Sequence, residues 1–597
     1  MSPDGRHVAV QIRRDGVNAV NVLDSRTGKS VAGARMSEDV EYNWHRWAGS
    51  DIVLISAAQV KPILGEDTRL TRLVALKVST GERWFIGPKY MGPEGDDLLY
   101  VADDGASILL SFQKTIYDWP SVTRISLLDQ KDSGTTVQKP VDGIWEWYAD
   151  DDGVVRMGTG WVNNKLRISY RKTASDRFRE IARISEDDED DKFWDVTRIV
   201  AGSDEGLVLH EDDTGRRVFA QFNLSTRELI RTIYRNPNWD LTDAWLDKDG
   251  NPYAVDFTDD RDRRVWLDPK MGALQKQFDA ALKSDEVWIG SSAEDKSRMM
   301  VYSGGEADPG AYYLYDSGAK QLALFAEMRP KLPIRDLAKP RPMSFTARDG
   351  TRIAGYITLP RGRAAKGLPL IIMPHGGPYG VRDKLQYNDE VQFLANRGYA
   401  VLQPNYRGSG GYGNAFSEKG NGQIGRAMQD DLDDAMDWAV KEGIGDRNRV
   451  CVIGGSYGGY AAMWAVLRNP ERYRCAASFA GVTDWKKMLR YDAKFFSRKG
   501  AKKWNARVAG EDFDLDTVAP TRTIGTLKRP LLVAHGKLDT NVPFNQYKML
   551  LSAAEKAGVT FEQMVFEKQG HGFDTAADEA RWLSGLEEFL KKHNPAD

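Results

Sequence analysis

Up to about residue 330 the apolar positions fall in short runs broken by Asp/Gly turns, with almost no long helical periodicity, a pattern that predicts an all-β region. One phrase recurs, a polar turn leading into a strand: "SPDGRHVAV" at Ser2, "AGSDIVLIS" at Ala48, "DDGASILLS" at Asp103, "DDGVVRMGT" at Asp151, "GSDEGLVLH" at Gly202, "KDGNPYAVD" at Lys248 and "AEDKSRMMV" at Ala293. Seven copies at a period of roughly 45 to 55 residues predict a seven-bladed β-propeller over 1–330, one four-stranded blade per copy. A long β-sandwich is the alternative, and the repeat count favours the propeller. The acidic run "SEDDEDDKFWD", Ser185 to Asp195, could hold a cation or a substrate amine; it reads as a solvated loop.

The stretch "MRPKLPIRDLAKPRP", Met328 to Pro342, is too rich in proline for central strands and reads as a linker over 331–342. From 343 to 597 the pattern changes. Apolar runs "GYITLP", "LPLIIMP", "YAVLQPN", "RVCVIGG", "CAASFAG" and "RPLLVAHG" alternate with helical stretches such as "DDLDDAMDWAVKEG" and "NQYKMLLSAAEKAG". This alternation predicts an α/β domain, a mostly parallel sheet with helices on both faces.

Charge adds an exclusion. The 83 basic and 86 acidic residues leave a net charge of -3, which gives no electrostatic case for nucleic acid or an anionic membrane surface. No apolar run approaches the roughly 20 residues of a membrane span. The start "MSPDGRHVAV" lacks the regions of a signal peptide yet falls straight into a repeat unit, so the compartment is open: cytoplasmic as the chain stands, periplasmic or secreted if a leader has been removed. Cys451 and Cys475 lie in apolar strand-like runs and read as two buried thiols. The chain leaves room for a homo-oligomer, but its oligomeric state is not legible.

The candidate chemistry centres on "VCVIGGSYGGYAAMWAV", Val450 to Val466. Ser456 occupies a very short turn between a buried strand and a helix, flanked by Gly454, Gly455 and Gly458. Such a turn needs glycine for close approach, strains the serine, and lifts its hydroxyl beside the first amides of a helix. A serine nucleophile also needs a base and a group to orient it, in the chain order Ser, Asp, His for this domain type. Asp539 in "KLDTNVP" and His571 in "KQGHGF" meet that order. His7, His45 and His210 belong to the propeller half, His593 to the tail, and His375 and His535 to strand ends with other plausible roles. Asp484 is the rival orienting acid and reads as a helix cap. The oxyanion needs two amide donors, expected from Tyr457 and from Gly377 in "HGGPYG", where Gly376 and Gly377 let the backbone turn its amides toward the site.

One motif points elsewhere. Gly408, Gly410 and Gly413 spell G-x-G-x-x-G, with Asp430 and Asp431 about 20 residues on. The dinucleotide reading fails on context, since the third glycine is expected about ten residues before the next helix and the acids lie on that helix. No cofactor and no metal are called for.

Taken together, "HGGPYG", "NYRGSGGYG", "GGSYGGY", "HGKLDTNVP" and "GHGF" resemble the prolyl oligopeptidase family of serine peptidases, in its acylaminoacyl-peptidase and dipeptidyl-peptidase-like branch. The resemblance implies a propeller capping the active site and limiting access to short peptides. It implies a substrate-carbonyl contact two residues after the catalytic aspartate, where Asn541 stands in place of the arginine of many members, as in the dipeptidyl peptidase IV type. It maps an apolar S1 pocket onto Tyr457, Val482, Trp485 and Val542. Met488 falls where a proline-selective relative has tyrosine, which argues against strict proline specificity. Trp145, Glu146 and Trp147 suggest an amine grip, although an edge strand explains them equally well. The expectation is a serine peptidase of acylaminoacyl-peptidase type acting on short peptides through an acyl-enzyme. Its rivals are a dipeptidyl peptidase, an esterase or amidase on non-peptide acyl groups, and a binding protein with a dead hydrolase half.

Overall fold

In a computed structural model, all residues are described except 15, 64–65, 186–194, 497 and 597. The interior of the acidic run lies outside the described residues.

Among the described residues, strands between His7 and Glu327 form seven antiparallel sheets, each a meander of consecutive strands, and these are the blades of a seven-bladed propeller. Each repeated phrase supplies the same element. Ile52–Ile63, Ser107–Phe112, Val155–Val162 and Glu205–Glu211 are each second in their sheets, and each is closely buried along its first part. The apolar cores lie between neighbouring sheets: Leu54 and Ala75 of the second pack with Ile108, Leu110 and Ile125 of the third, removing both faces from water. The ring closes where Arg298 Nη1 of the seventh sheet donates to Ser25 Oγ of the first at 2.7 Å and Glu294 N donates to Pro3 O at 2.9 Å.

Two blades depart from the expected four strands. The first has three, its phrase supplying the strand that stands second elsewhere. The sixth has three because helix Pro269–Leu282 follows its third strand. Asp268 caps that helix by accepting from Lys270 N, and proline at its start fits a first turn that needs no such donor.

The second region is an α/β-hydrolase sheet of eight strands, in spatial order Arg341–Thr346, Arg352–Thr358, Ala400–Asn405, Leu368–Ile372, Gly445–Gly455, Cys475–Phe479, Leu531–Gly536 and Glu562–Phe566. The first two pairings are antiparallel and the rest parallel. Arg341 and Pro342 belong to the edge strand, not to an irregular linker; proline is tolerated there because one side of the strand makes no ladder bonds. Buried side chains form one core on each face of this sheet. Among the described residues no helix is long and apolar enough to cross a membrane.

The cysteines require a correction. Cys451 and Cys475 are register partners on adjacent parallel strands, with Cα atoms 4.7 Å apart, and they form a disulfide. Both are fully buried, as expected, but the strand-helix-strand connection brings them side by side within disulfide reach.

Candidate active site

Ser456 stands between strand Gly445–Gly455 and helix Tyr457–Arg468 with φ 58° and ψ -123°. This left-handed backbone is costly for a residue with a Cβ and persists only where its surroundings enforce it. They do so by close approach. A Cβ on Gly458 would run into Pro374 O, and one on Gly454 would come within 2.6 Å of the Gly458 carbonyl carbon. Ser456 N donates to Phe479 O at 2.9 Å, tying the turn to the neighbouring strand.

Asp539 follows strand Leu531–Gly536 and His571 follows strand Glu562–Phe566, so adjacent parallel strands deliver both to one end of the sheet. His571 Nδ1 lies 2.8 Å from Asp539 Oδ2. The other oxygen, Oδ1, accepts from the amides of Asn541 and Val542 at 2.9 Å each. Burial raises the Asp539 pKa, but hydrogen bonds from His535 and His571, the His571 charge and the Val542 amide outweigh it, leaving the carboxyl at about 2. An ionised carboxylate only accepts, so His571 carries its proton on Nδ1 and leaves Nε2 free to take one. Among the described residues the hydrogen bonds include none between Ser456 Oγ and His571; such contacts often tighten only with substrate in place.

The Gly376–Gly377 turn lies over the serine. A Cβ on Gly376 would stand 3.4 Å from Ser456 Cβ and 3.9 Å from its Oγ, and Gly377 has φ 115°, backbone that glycine adopts freely. Buried His375, placed at a strand end by the sequence, and buried Tyr406 and Ser409, which it did not single out, support this loop. His375 Nε2 pairs with Ser409 Oγ at 2.8 Å, and the Tyr406 hydroxyl donates to His375 O at 2.8 Å, with the two rings stacked at 4.3 Å. Burial pushes the His375 pKa down to about 4, so it is a neutral structural imidazole. His535 is a second neighbour of Asp539: its Nε2 donates to Val542 O at 2.8 Å and stands 3.4 Å from Asp539 Oδ2. Its place four residues before Asp539, at a strand end, was the available sequence signal.

Tyr457, Val482, Trp485, Met488 and Val542 are all buried in one apolar cluster, with the Tyr457 and Trp485 rings 6.2 Å apart. Asn541 is exposed beside Asp539. Asp484 Oδ1 accepts from Lys487 N at 2.9 Å, capping helix Trp485–Asp492.

The glycine motif also needs a correction. Gly413 directly precedes a short helix, Asn414–Glu418, where none was expected for about ten residues. The acid is nonetheless engaged within the fold, since Asp431 takes a bidentate pair from Arg407 at 2.9 and 2.7 Å and accepts from the Arg407 amide, fixing the loop from within.

Residues 385–595 match the family described as "Prolyl oligopeptidase family". The chain is 31% identical over 429 residues to dipeptidyl aminopeptidase BIII of Pseudoxanthomonas mexicana, covering 67% of this chain and 61% of that protein. It is 30% identical over 217 residues to the acylamino-acid-releasing enzyme of Arabidopsis thaliana, covering 34% and 28%. The chain thus spans less than two thirds of the length of these curated relatives. Among solved structures, a Mycobacterium tuberculosis puromycin-hydrolyzing peptidase superposes with TM-score 0.70 at 16% identity, covering 100% of this chain and 96% of that one. A Pyrococcus horikoshii acylaminoacyl peptidase gives 0.67 at 15%, covering 99% and 94%. At these identities the two structures speak for the fold alone, a propeller followed by an α/β hydrolase. Over residues 385–595, the chain is similar to the prolyl oligopeptidase family.

Proposed function

We propose that the protein is a serine peptidase that hydrolyses short peptides through an acyl-enzyme, with acylaminoacyl-peptidase-like specificity. The observation that carries this reading is the strained Ser456 at a strand-to-helix turn, at the sheet end where His571 meets an ionised Asp539. Ser456 Oγ attacks the carbonyl carbon while His571 Nε2 takes its proton, and Asp539 keeps the imidazole oriented and steadies its charge. The amides of Tyr457 and Gly377 receive the oxyanion. His571 returns the proton to the leaving amine, and water, activated by the same imidazole, then releases the acyl group. Tyr457, Val482, Trp485 and Val542 offer the first acyl-side residue an apolar surface, and Asn541 a neutral donor for a substrate carbonyl.

A second reading, release of dipeptides from a free N-terminus, has its own support. Asp97 and Glu146 lie on the first strands of the third and fourth blades, at sheet edges. Asp97 is exposed at the start of its strand, but desolvation by the surrounding protein, with Asp96, Glu94 and Glu146 nearby, raises its pKa to about 6, and a substrate ammonium would relieve that crowding. Glu146 also accepts from the hydroxyls of Tyr148 and Thr159, both at 3.0 Å. The name of the Pseudoxanthomonas relative points the same way.

The test compares N-acetyl-leucine and glycyl-leucine p-nitroanilides, with Ser456→Ala as blank. Preference for the acetylated substrate supports the first reading. Preference for the free amine, lost in Asp97→Asn or Glu146→Gln, supports the second. Cleavage of simple esters but neither anilide makes the protein an esterase and removes both.

A further inference from the structure

His571 sits at the tip of a turn with little packing of its own. A Cβ on Gly572 would meet nothing within 4 Å, and one on Gly570 would meet Leu538 O at 3.7 Å. Apart from its bond to Asp539, the imidazole is therefore placed by the ends of the turn. Within the hydrolase, buried Gln569 braces it: its Oε1 accepts from Asp574 N at 2.6 Å, and its Nε2 donates to Asp578 Oδ2 at 2.6 Å. Phe573 anchors the far end against Phe479, centroids 4.6 Å apart.

A further contact comes from the other domain. Arg13, on strand His7–Arg14 of the first blade, pairs through Nη2 with Asp574 Oδ1 at 2.8 Å. Beside it, the Cβ position of Gly16 lies 3.3 Å from Thr575 Cγ2. A cavity of about 1120 Å³, lined by Arg13, Tyr387, Asp389, Asp574 and Thr575, leaves the far side of this contact open, so the turn has room to shift there.

We propose that Arg13 is a positioning residue for hydrolysis: through Asp574 it holds the turn that carries His571, so blade one takes part in placing the base. The inference rests on the reading of His571 as general base. The pair is partly exposed, 37% and 46% at the two side chains, so its hold is screened by salt. Loss of a base's alignment is felt in turnover more than in substrate affinity.

The test measures kcat and KM on the cleaved anilide at about 0.02 M and about 0.5 M salt, for the wild type, Arg13→Ala, Arg13→Lys, Asp574→Asn, the Arg13→Ala/Asp574→Asn double variant and His571→Ala, with melting temperatures alongside. Arg13→Ala and Asp574→Asn should each lower kcat about tenfold at low salt, with KM within about twofold. The double variant should be no worse than either single one. Lysine should restore most of kcat, and high salt should slow the wild type toward the alanine variant. Unchanged kcat in Arg13→Ala and Asp574→Asn, with His571→Ala inactive, overturns the proposal and leaves the base reading standing. Additive losses in a folded double variant also overturn it. Activity retained in His571→Ala removes the base reading, and the proposal with it.

Discussion

His571 Nδ1 reaches Asp539 Oδ2 at 2.8 Å across 32 residues of chain, from a turn that follows the neighbouring strand. The Asp539 carboxyl is held at about 2 against an ordinary 3.8, so it is charged near neutral pH. Its lowered pKa contributes stability that is full above about pH 4 and is lost as pH falls through about 2.

Replacing Asp539 by asparagine keeps an acceptor for the Asn541 and Val542 amides but turns a donor toward His571 Nδ1. The imidazole then favours the tautomer that cannot take the Ser456 proton. Turnover should fall by about three to four orders of magnitude with KM little changed, in steady-state kinetics on the cleaved anilide. A loss below tenfold would remove Asp539 from the mechanism.

The backbone at Ser456 predicts a trade between activity and stability. At φ 58°, ψ -123°, glycine relieves the clash that serine bears. Ser456→Gly should be inactive yet about 1 kcal/mol more stable in denaturant titration. Equal or lower stability would contradict the strained reading.

Glu390 gives a pH dependence of the fold. Burial raises it to about 7 from an ordinary 4.5, against the opposing hydrogen bond from Trp582 Nε1 at 3.2 Å. The folded protein therefore keeps a proton that the unfolded chain releases: stability is full below about pH 4.5, declines as pH rises, and levels off above about 7. Glu390→Gln should flatten this slope and gain up to about 3 kcal/mol at pH 8 relative to pH 4.5. An unchanged profile would place the buried charge elsewhere.

The disulfide predicts a thiol count. Denatured without reductant, the protein should take up no iodoacetamide, and after reduction two equivalents, at Cys451 and Cys475, by intact mass. Two equivalents before reduction would restore the thiol reading.

Some of these features were legible in the chain and others were not, for physical reasons. Ser456 could be found because its strain must be met locally, by glycines one and two residues away. The blades could be counted because each repeats a local turn, whereas helix Pro269–Leu282 replaces a strand without disturbing the repeat. Cys451 and Cys475 pair only through sheet order, and Arg13 and Asp574 meet only through domain packing across nearly the whole chain. Neither kind of contact leaves a pattern in hydrophobic spacing. His535 and Tyr406 lay within recognised motifs, but their roles depend on hydrogen-bond partners that spacing does not specify.

The most direct test of the central claim is to treat the protein with a fluorophosphonate, follow hydrolysis of the preferred p-nitroanilide as it reacts, and locate the adduct by peptide mass spectrometry. The account predicts one equivalent on Ser456, bound in step with the loss of hydrolysis, and neither labelling nor turnover in Ser456→Ala. Hydrolysis that survives full labelling of Ser456, or persists in Ser456→Ala, would contradict it.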